Sequence, residues 1–254
     1  VHPFQENFDM PELAYFDALM PILQRAIKTQ TPNIEKLAGW MAESIRDDHL
    51  VYVFGAGHAS ILAEEMCYRA GSLVPTNAIL PPGLTVATRP LTMETELERL
   101  PGLAEIIYKA SQIEAGDVLI VHSNSGRNTV AIEMAEMAQK KGVRVAAVTS
   151  IQHSSSVSSR HPNGTKLMDV ADLVIDNCGI PGDAVVGYEG IGQRCGATST
   201  VVGAALMNAA ICEAVRILIA DGLVPPVFQS ANLDGSDLHN AALMERYAGR
   251  LLYL

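Results

Sequence analysis

The sequence predicts an α/β protein built on a doubly wound parallel sheet. Two observations carry that expectation. Short apolar runs alternate along the chain with stretches of helical periodicity. Two of those runs also break off abruptly into loops of glycine and small polar residues, and each loop opens a helix. In an open parallel sheet such loops sit at the carboxyl ends of strands, where ligands bind.

The bulk properties narrow the classes. The 254 residues suit one α/β domain, and 48% hydrophobic content supports a sizeable core. The formal net charge is -10 and the pI is near 5.1. No basic stripe is visible, so nucleic acid is excluded as a partner. A small anion is not excluded, because a local pocket of N–H groups can oppose the global charge. Cys67, Cys178, Cys195 and Cys212 are widely spaced and form no C-x-x-C, so they read as buried cytosolic thiols, neither a disulfide framework nor a zinc cage. No signal-peptide pattern is read, and a cytoplasmic location is expected. The first residue is Val1 and not methionine, which leaves room for a native start upstream. The apolar stretch 201–220 is interrupted by Asn208, Glu213 and Arg216, so it reads as a core helix and no membrane partner is expected.

Taken in order, residues 1–48 form an N-terminal helical extension. Phe4, Phe8, Tyr15, Leu19, Ile22, Ile34, Leu37, Met41 and Ile45 recur at helical spacing, and Pro21 and Thr31-Pro32 should break the stretch into about two helices. It carries too few Lys and Arg for a DNA-binding helix pair. Residues 49–254 form the α/β domain, with a long C-terminal helix and a polar tail. Its first strand, 50–54, runs into Gly55-Ala56-Gly57-His58-Ala59-Ser60 and a helix to about residue 70. Gly55 and Gly57 suit a tight turn with close backbone approach to a ligand. The loop is not a dinucleotide fingerprint: Ser60 replaces the third glycine, and the second strand, near 74–80, ends in no acidic residue to hold a ribose.

Glu65 and Arg69 stand four apart on the following helix. That spacing gives a surface ion pair, and the functional alternative is a carboxylate facing the loop pocket as a base. Residues 81–101 are irregular, with an acidic patch at Glu94, Glu96 and Glu98 that reads as a solvated loop, a flap or a subunit contact. A helix over 103–113 leads to the central strand.

That strand, 118–121, switches into Ser123-Asn124-Ser125-Gly126-Arg127-Asn128-Thr129 and then a helix to 141. The N–H groups at a helix N-terminus favour an anion. Ser123, Ser125 and Thr129 add hydroxyl donors, and Gly126 allows close approach, so the loop is suited to a phosphate. Strands follow at 143–149 and 171–176, with a serine-rich stretch between them and a long helix over 198–220. The run Asn232-Leu233-Asp234-Gly235-Ser236-Asp237-Leu238-His239-Asn240 is an ordinary turn signal by composition and does not match EF-hand spacing.

Gly55-Ala56-Gly57-His58-Ala59-Ser60, Ala63-Glu64-Glu65-Met66, the 123–129 loop and Ala171-Asp172-Leu173-Val174-Ile175-Asp176, in that order, resemble the sugar isomerase (SIS) domain over about residues 35–220. Ser-x-Ser-Gly-x-x-Thr after a buried strand is its most specific element. Within the family the chain is most similar to phosphoheptose isomerases and a related branch of phosphosugar-binding proteins. The resemblance implies a flavodoxin-like, five-stranded sheet, a sugar phosphate as partner, and homo-oligomers with sites near subunit boundaries. It implies phosphate binding by Ser123, Asn124, Ser125, Gly126, Asn128 and Thr129, and further substrate contacts from Gly55, Gly57, His58 and Ser60. It places the proton-transfer glutamate of phosphoheptose isomerases on Glu65. His239 is a candidate acid by location alone. The first loop and helix are shorter here than in that family, and its metal-binding histidines find no match, so no metal or cofactor is assigned.

Aldose–ketose interconversion moves a proton between adjacent carbons through an enediol(ate), which needs a base near carbon and an acid near oxygen. A glutamate shielded from water suits the first role, and phosphate binding positions the reacting carbons. An isomerase is therefore the expected activity. A SIS-type etherase that removes a proton beside a leaving ether, and a non-catalytic phosphosugar sensor, are the alternatives.

Overall fold

The structure is a computed structural model that describes residues 13–253; Phe4 and Phe8 of the helical extension lie outside them. The chain runs α1 (Ala14–Arg46), β1 (Val51–Gly55), α2 (Ser60–Met66), β2 (Thr76–Ile79), α3 (Leu91–Leu97), α4 (Leu103–Ala110), β3 (Val118–His122) and α5 (Thr129–Lys140). It continues through β4 (Arg144–Thr149), α6 (Ile151–Ser156), α7 (Leu167–Val170), β5 (Leu173–Asp176), β6 (Ala184–Gly187), β7 (Arg194–Ala197), α8 (Ser199–Ala220) and α9 (Ser236–Arg246).

Five parallel strands pair in the order β2-β1-β3-β4-β5. This is the flavodoxin-like order, and it reverses between β1 and β3. Successive side chains of a strand point to opposite faces. Val51, Val53, Ile120 and Val148 accordingly join a core with α1, α2 and α8. Tyr52, Phe54, Leu119 and Val121 join a second core with α4 and α5. Cover on both faces explains why these strands read as unbroken apolar runs.

The N-terminal helical stretch departs from expectation. It is one helix of 33 residues with Pro21 and Pro32 inside it. Each proline costs an interior helix about 3 kcal/mol. Burying Leu19, Ile22, Ile34, Leu37, Met41 and Ile45 contributes about 1.5–3 kcal/mol apiece, which outweighs that cost. The Thr29 and Thr31 hydroxyls donate to the Arg25 and Ile27 carbonyls one turn earlier. Packing has overruled local propensity, and α1 shares its core with α2 and α8.

Further elements were not expected, among them α6 in the serine-rich stretch and α9, which begins inside the 232–240 run read as a turn. Residues 91–97 form α3, a short helix within the stretch read as irregular. Residues 184–197 carry a two-stranded antiparallel ribbon, β6–β7, in which Val186 is opposite Cys195. Helix α8 is long and apolar enough to cross a membrane by length and composition alone. Its Val202, Leu206, Met207, Ala210, Ile211 and Leu218 are instead buried in the core. None of Cys67, Cys178, Cys195 and Cys212 is in a disulfide; Cys178 is buried and Cys67 half-buried, whereas Cys195 and Cys212 are exposed, against the reading of all four as buried.

Candidate functional site

Gly55 of β1 and His122 of β3 are register partners at the carboxyl ends of adjacent strands. The loops that follow them diverge around a cavity of about 490 Å³ at the point where the strand order reverses. Open α/β sheets bind ligands in that position.

The first loop is shaped by contact. A Cβ on Gly55 would lie 2.3 Å from the Ala59 carbonyl oxygen, so only glycine lets α2 start so close to the strand end. Gly57 has φ +59°, and its N–H donates to the Leu84 carbonyl at 2.9 Å. Ala56, Gly57 and His58 border the cavity. Ser60 does not: it is fully buried, and its hydroxyl donates to the Gly57 carbonyl at 2.8 Å.

In the second loop Ser123, Asn124, Ser125 and Asn128 face the cavity, together with Arg127. Among the described residues, the backbone N–H groups of Ser125, Arg127 and Asn128 and the hydroxyls of Ser123 and Ser125 donate to no protein acceptor. Asn124 is anchored by the Asn177 amide, which donates to its Oδ1 at 2.9 Å.

Gly126 and Thr129 act differently from expectation. A Cβ on Gly126 would meet Ser154 Oγ and Thr149 Oγ1 at 3.3 Å, and its N–H already donates to Ser123. Its freedom serves packing under the loop. Thr129 is fully buried, and its hydroxyl donates to the Arg160 carbonyl at 3.2 Å. It ties the 160 segment to the loop and is not turned to the cavity.

That tie brings in Arg160, which no local signal in the sequence marked. Its Nη1 donates to Asn128 Oδ1 at 2.7 Å. Arg127 reaches Ser158 Oγ at 3.3 Å. Burial lowers the Arg160 pKa, and the neighbouring Arg127 and Arg99 lower it further. The loop end of the cavity is therefore a positive pole in an acidic protein.

Helix α3 brings Glu94 to the cavity, and Glu98, just past its end, lies beside the second loop with Asn128 as its partner. Burial raises both carboxyl pKa values, Glu94 to about 7 with Glu98 adding to the effect. The sequence showed this acidic patch and gave no direction for it.

His122 forms the floor. Its Nδ1 lies 3.1 Å from the Ala59 carbonyl, which can only accept, so Nδ1 carries the proton and Nε2 is an acceptor. Burial lowers its pKa and keeps the ring neutral. Nε2 has no partner in the fold. His153 also borders the cavity, its pKa lowered chiefly by burial.

Glu65 and His239 are not brought to this cavity. Leu62, Ala63 and Met66 turn inward on α2, which leaves the glutamates on its outer side. Glu65 is ion-paired with Arg69 and accepts from Asn208 Nδ2 at 3.0 Å. It lines a separate hollow of about 610 Å³ with Glu64, Asn232 and Asn240. The ion-pair reading describes Glu65 within this chain, and the base reading is withdrawn for it. His239 is exposed on α9 with Nε2 3.1 Å from the Val227 carbonyl, and it borders neither space. Among the described residues, no cluster of His, Cys, Asp or Glu is arranged to hold a metal ion.

Comparison with known proteins agrees with this architecture. The family model for the SIS domain matches residues 14–150. A UPF0309 protein of Shouchella clausii is 40% identical over 240 residues, covering 94% of this chain and 98% of that protein. One of Oceanobacillus iheyensis is 37% identical with the same coverage. Among solved structures, a phosphoheptose isomerase from Francisella tularensis matches with TM-score 0.54 and 16% identity, over 80% of this chain and 95% of that one. The Vibrio vulnificus NanR protein complexed with ManNAc-6P matches with TM-score 0.50 and 15% identity, over 92% and 67%. At these identities the likeness to both structures is one of fold.

Proposed function

The chain belongs to the SIS domain family and, within it, to the UPF0309 proteins; from that premise we propose that it binds a sugar phosphate between the β1 and β3 loops and interconverts its aldose and ketose forms. The observation that carries the reading is the polarity of one cavity. Unengaged N–H and hydroxyl donors of the 123–128 loop, backed by Arg127 and Arg160, stand at one end. The Glu94 carboxylate, over the Gly57 turn of the first loop, and the neutral imidazole of His122 line the same cavity.

The phosphate is held at the loop end by charge-assisted hydrogen bonds. That binding energy positions the sugar carbons against the acid–base wall. A proton leaves the carbon beside the carbonyl, an enediol(ate) forms, and a proton returns to the neighbouring carbon.

The test is incubation with a panel of sugar phosphates in D₂O, followed by proton NMR. The reading expects an aldose–ketose shift with deuterium entering beside the carbonyl. Loss of an ether substituent would instead assign a lyase. Thermal stabilisation by a sugar phosphate without deuterium uptake would assign a receptor.

A further inference from the structure

We propose that Glu94 is the catalytic base of this site, the carboxylate that takes the proton from carbon. The inference rests on the isomerase reading and deepens it. Three geometric observations carry it.

First, Glu94 is enclosed, with 6% of its surface exposed, although it belongs to a short helix whose other residues are more open. Second, its carboxylate lies over the turn of the first loop. A Cβ built on Gly57 would sit 3.1 Å from Oε1 and 3.2 Å from Oε2, so both oxygens face the loop rather than solvent. Third, Oε1 has no hydrogen-bond partner, and among the described residues no Lys, Arg or His forms a salt bridge with Glu94. A buried carboxylate oxygen without a partner costs the fold stability, and the Thr95 side chain and the Arg99 charge offset only part of that cost. Glu94 borders that cavity from beside the first loop, and a base for a sugar anchored by its phosphate in the second loop has to stand in the same cavity.

The other acidic candidates are committed elsewhere. Glu98 is engaged with Asn128 and lies near Arg99 and Arg160. Glu65 is paired with Arg69. Asp183 holds the start of α8.

The step balances as follows. The Glu94 carboxylate accepts the proton from the carbon beside the carbonyl. The C–H electron pair becomes the C=C bond of the enediolate, and the carbonyl π pair moves to oxygen. The proton of the neighbouring hydroxyl passes to the enolate oxygen, that carbon becomes the new carbonyl, and the Glu94 carboxyl delivers its proton to the former carbonyl carbon, which regenerates the carboxylate. Burial raises its affinity for that proton, with Glu98 next in effect and Arg99 opposing. This suits a group that must both take and return a proton near neutral pH.

The experiment compares wild type, Glu94→Gln, Glu94→Asp and Glu96→Gln with the sugar phosphate that wild type turns over. Glu94→Gln should lower kcat by about 10²–10⁴-fold and abolish deuterium uptake, with the thermal shift given by that sugar phosphate retained. Glu94→Asp should recover part of the rate, and Glu96→Gln, at an exposed position outside the cavity, should keep most of it. A Glu94→Gln protein with kcat within about threefold of wild type would overturn the assignment and leave the isomerase reading standing. A wild type that is stabilised by sugar phosphates yet exchanges no carbon-bound proton would overturn both.

Discussion

Asp183 holds Ser199 through both carboxylate oxygens, Oδ1 accepting from the backbone N–H at 2.8 Å and Oδ2 from the hydroxyl at 2.6 Å. Oδ1 also accepts from the Thr198 N–H at 3.1 Å and its hydroxyl at 3.2 Å. One side chain thus closes the N-terminus of α8, a 22-residue helix of the inner core, at the edge of the cavity. Removing a cap costs about 1–2 kcal/mol. Asp183 also has φ +67°, which Asn tolerates better than Ala. Asp183→Ala is therefore expected to destabilise by about 2 kcal/mol and Asp183→Asn by less, measured by urea unfolding. Equal midpoints for both variants and wild type would remove the capping role.

The second loop makes a prediction about affinity. Ser125→Ala removes one charge-assisted donor and should weaken sugar-phosphate binding about tenfold, the equivalent of about 1.4 kcal/mol. Titration calorimetry with a sugar phosphate checks it. Thr129→Ser keeps the buried hydroxyl that reaches Arg160 and should leave affinity within about threefold, since that hydroxyl serves the fold.

Glu65→Gln is expected to leave kcat within about threefold of wild type. Its ion pair with Arg69 is a half-exposed pair four residues apart on a helix, worth a few tenths of a kcal/mol or about that. A hundredfold drop in kcat would return Glu65 to the reaction through a neighbouring subunit.

The pH dependence follows from Glu94, whose carboxyl pKa is raised from 4.5 to about 7 by burial first and by Glu98 second. His58, His122, His153, Arg127, Arg160 and Asp183 share its cavity. As a base it must be ionised, so kcat/KM should rise with pH and level off above about 7. Stability has the opposite sign. Between 4.5 and about 7 the folded chain holds a proton that the unfolded chain has lost. This contribution is full below 4.5 and is lost as pH rises through about 7. Glu94→Gln should flatten both profiles, read by initial rates and by unfolding midpoints across pH 5–8.

Self-association is the last expectation. Phe16, Met20 and Ile27 of α1 are exposed, and an apolar hollow of about 360 Å³ lies between α1 and α8, lined by Leu23, Ile27, Ala205 and Ala209. Large exposed apolar patches mark interaction surfaces. Light scattering at micromolar concentration should give at least twice the 27.2 kDa chain mass. Ile27→Glu should reduce it towards one chain.

The sequence by itself determined the parallel α/β class, the strand–loop–helix units that start at residues 50 and 118 (the first helix ending at Met66, short of the expected 70), and the loop residues Ser123, Asn124, Ser125 and Asn128 that border the cavity. Those features are local. A buried strand requires an apolar run, and a tight loop requires glycine and small polar residues, whatever surrounds them. Only the tertiary structure decided which carboxylate enters the site. Glu65 and Glu94 are both acidic residues on short helices. They differ in what packs against them: Leu62, Ala63 and Met66 rotate Glu65 outward, and the Gly57 turn receives Glu94. Arg160 reaches the loop through Thr129, 31 residues away in the chain. The unbroken α1 also depends on long-range contact, because burial against α8 outweighs two prolines that sequence alone reads as breaks. Side-chain direction and helix continuity here are set by packing between distant segments, which local spacing does not encode.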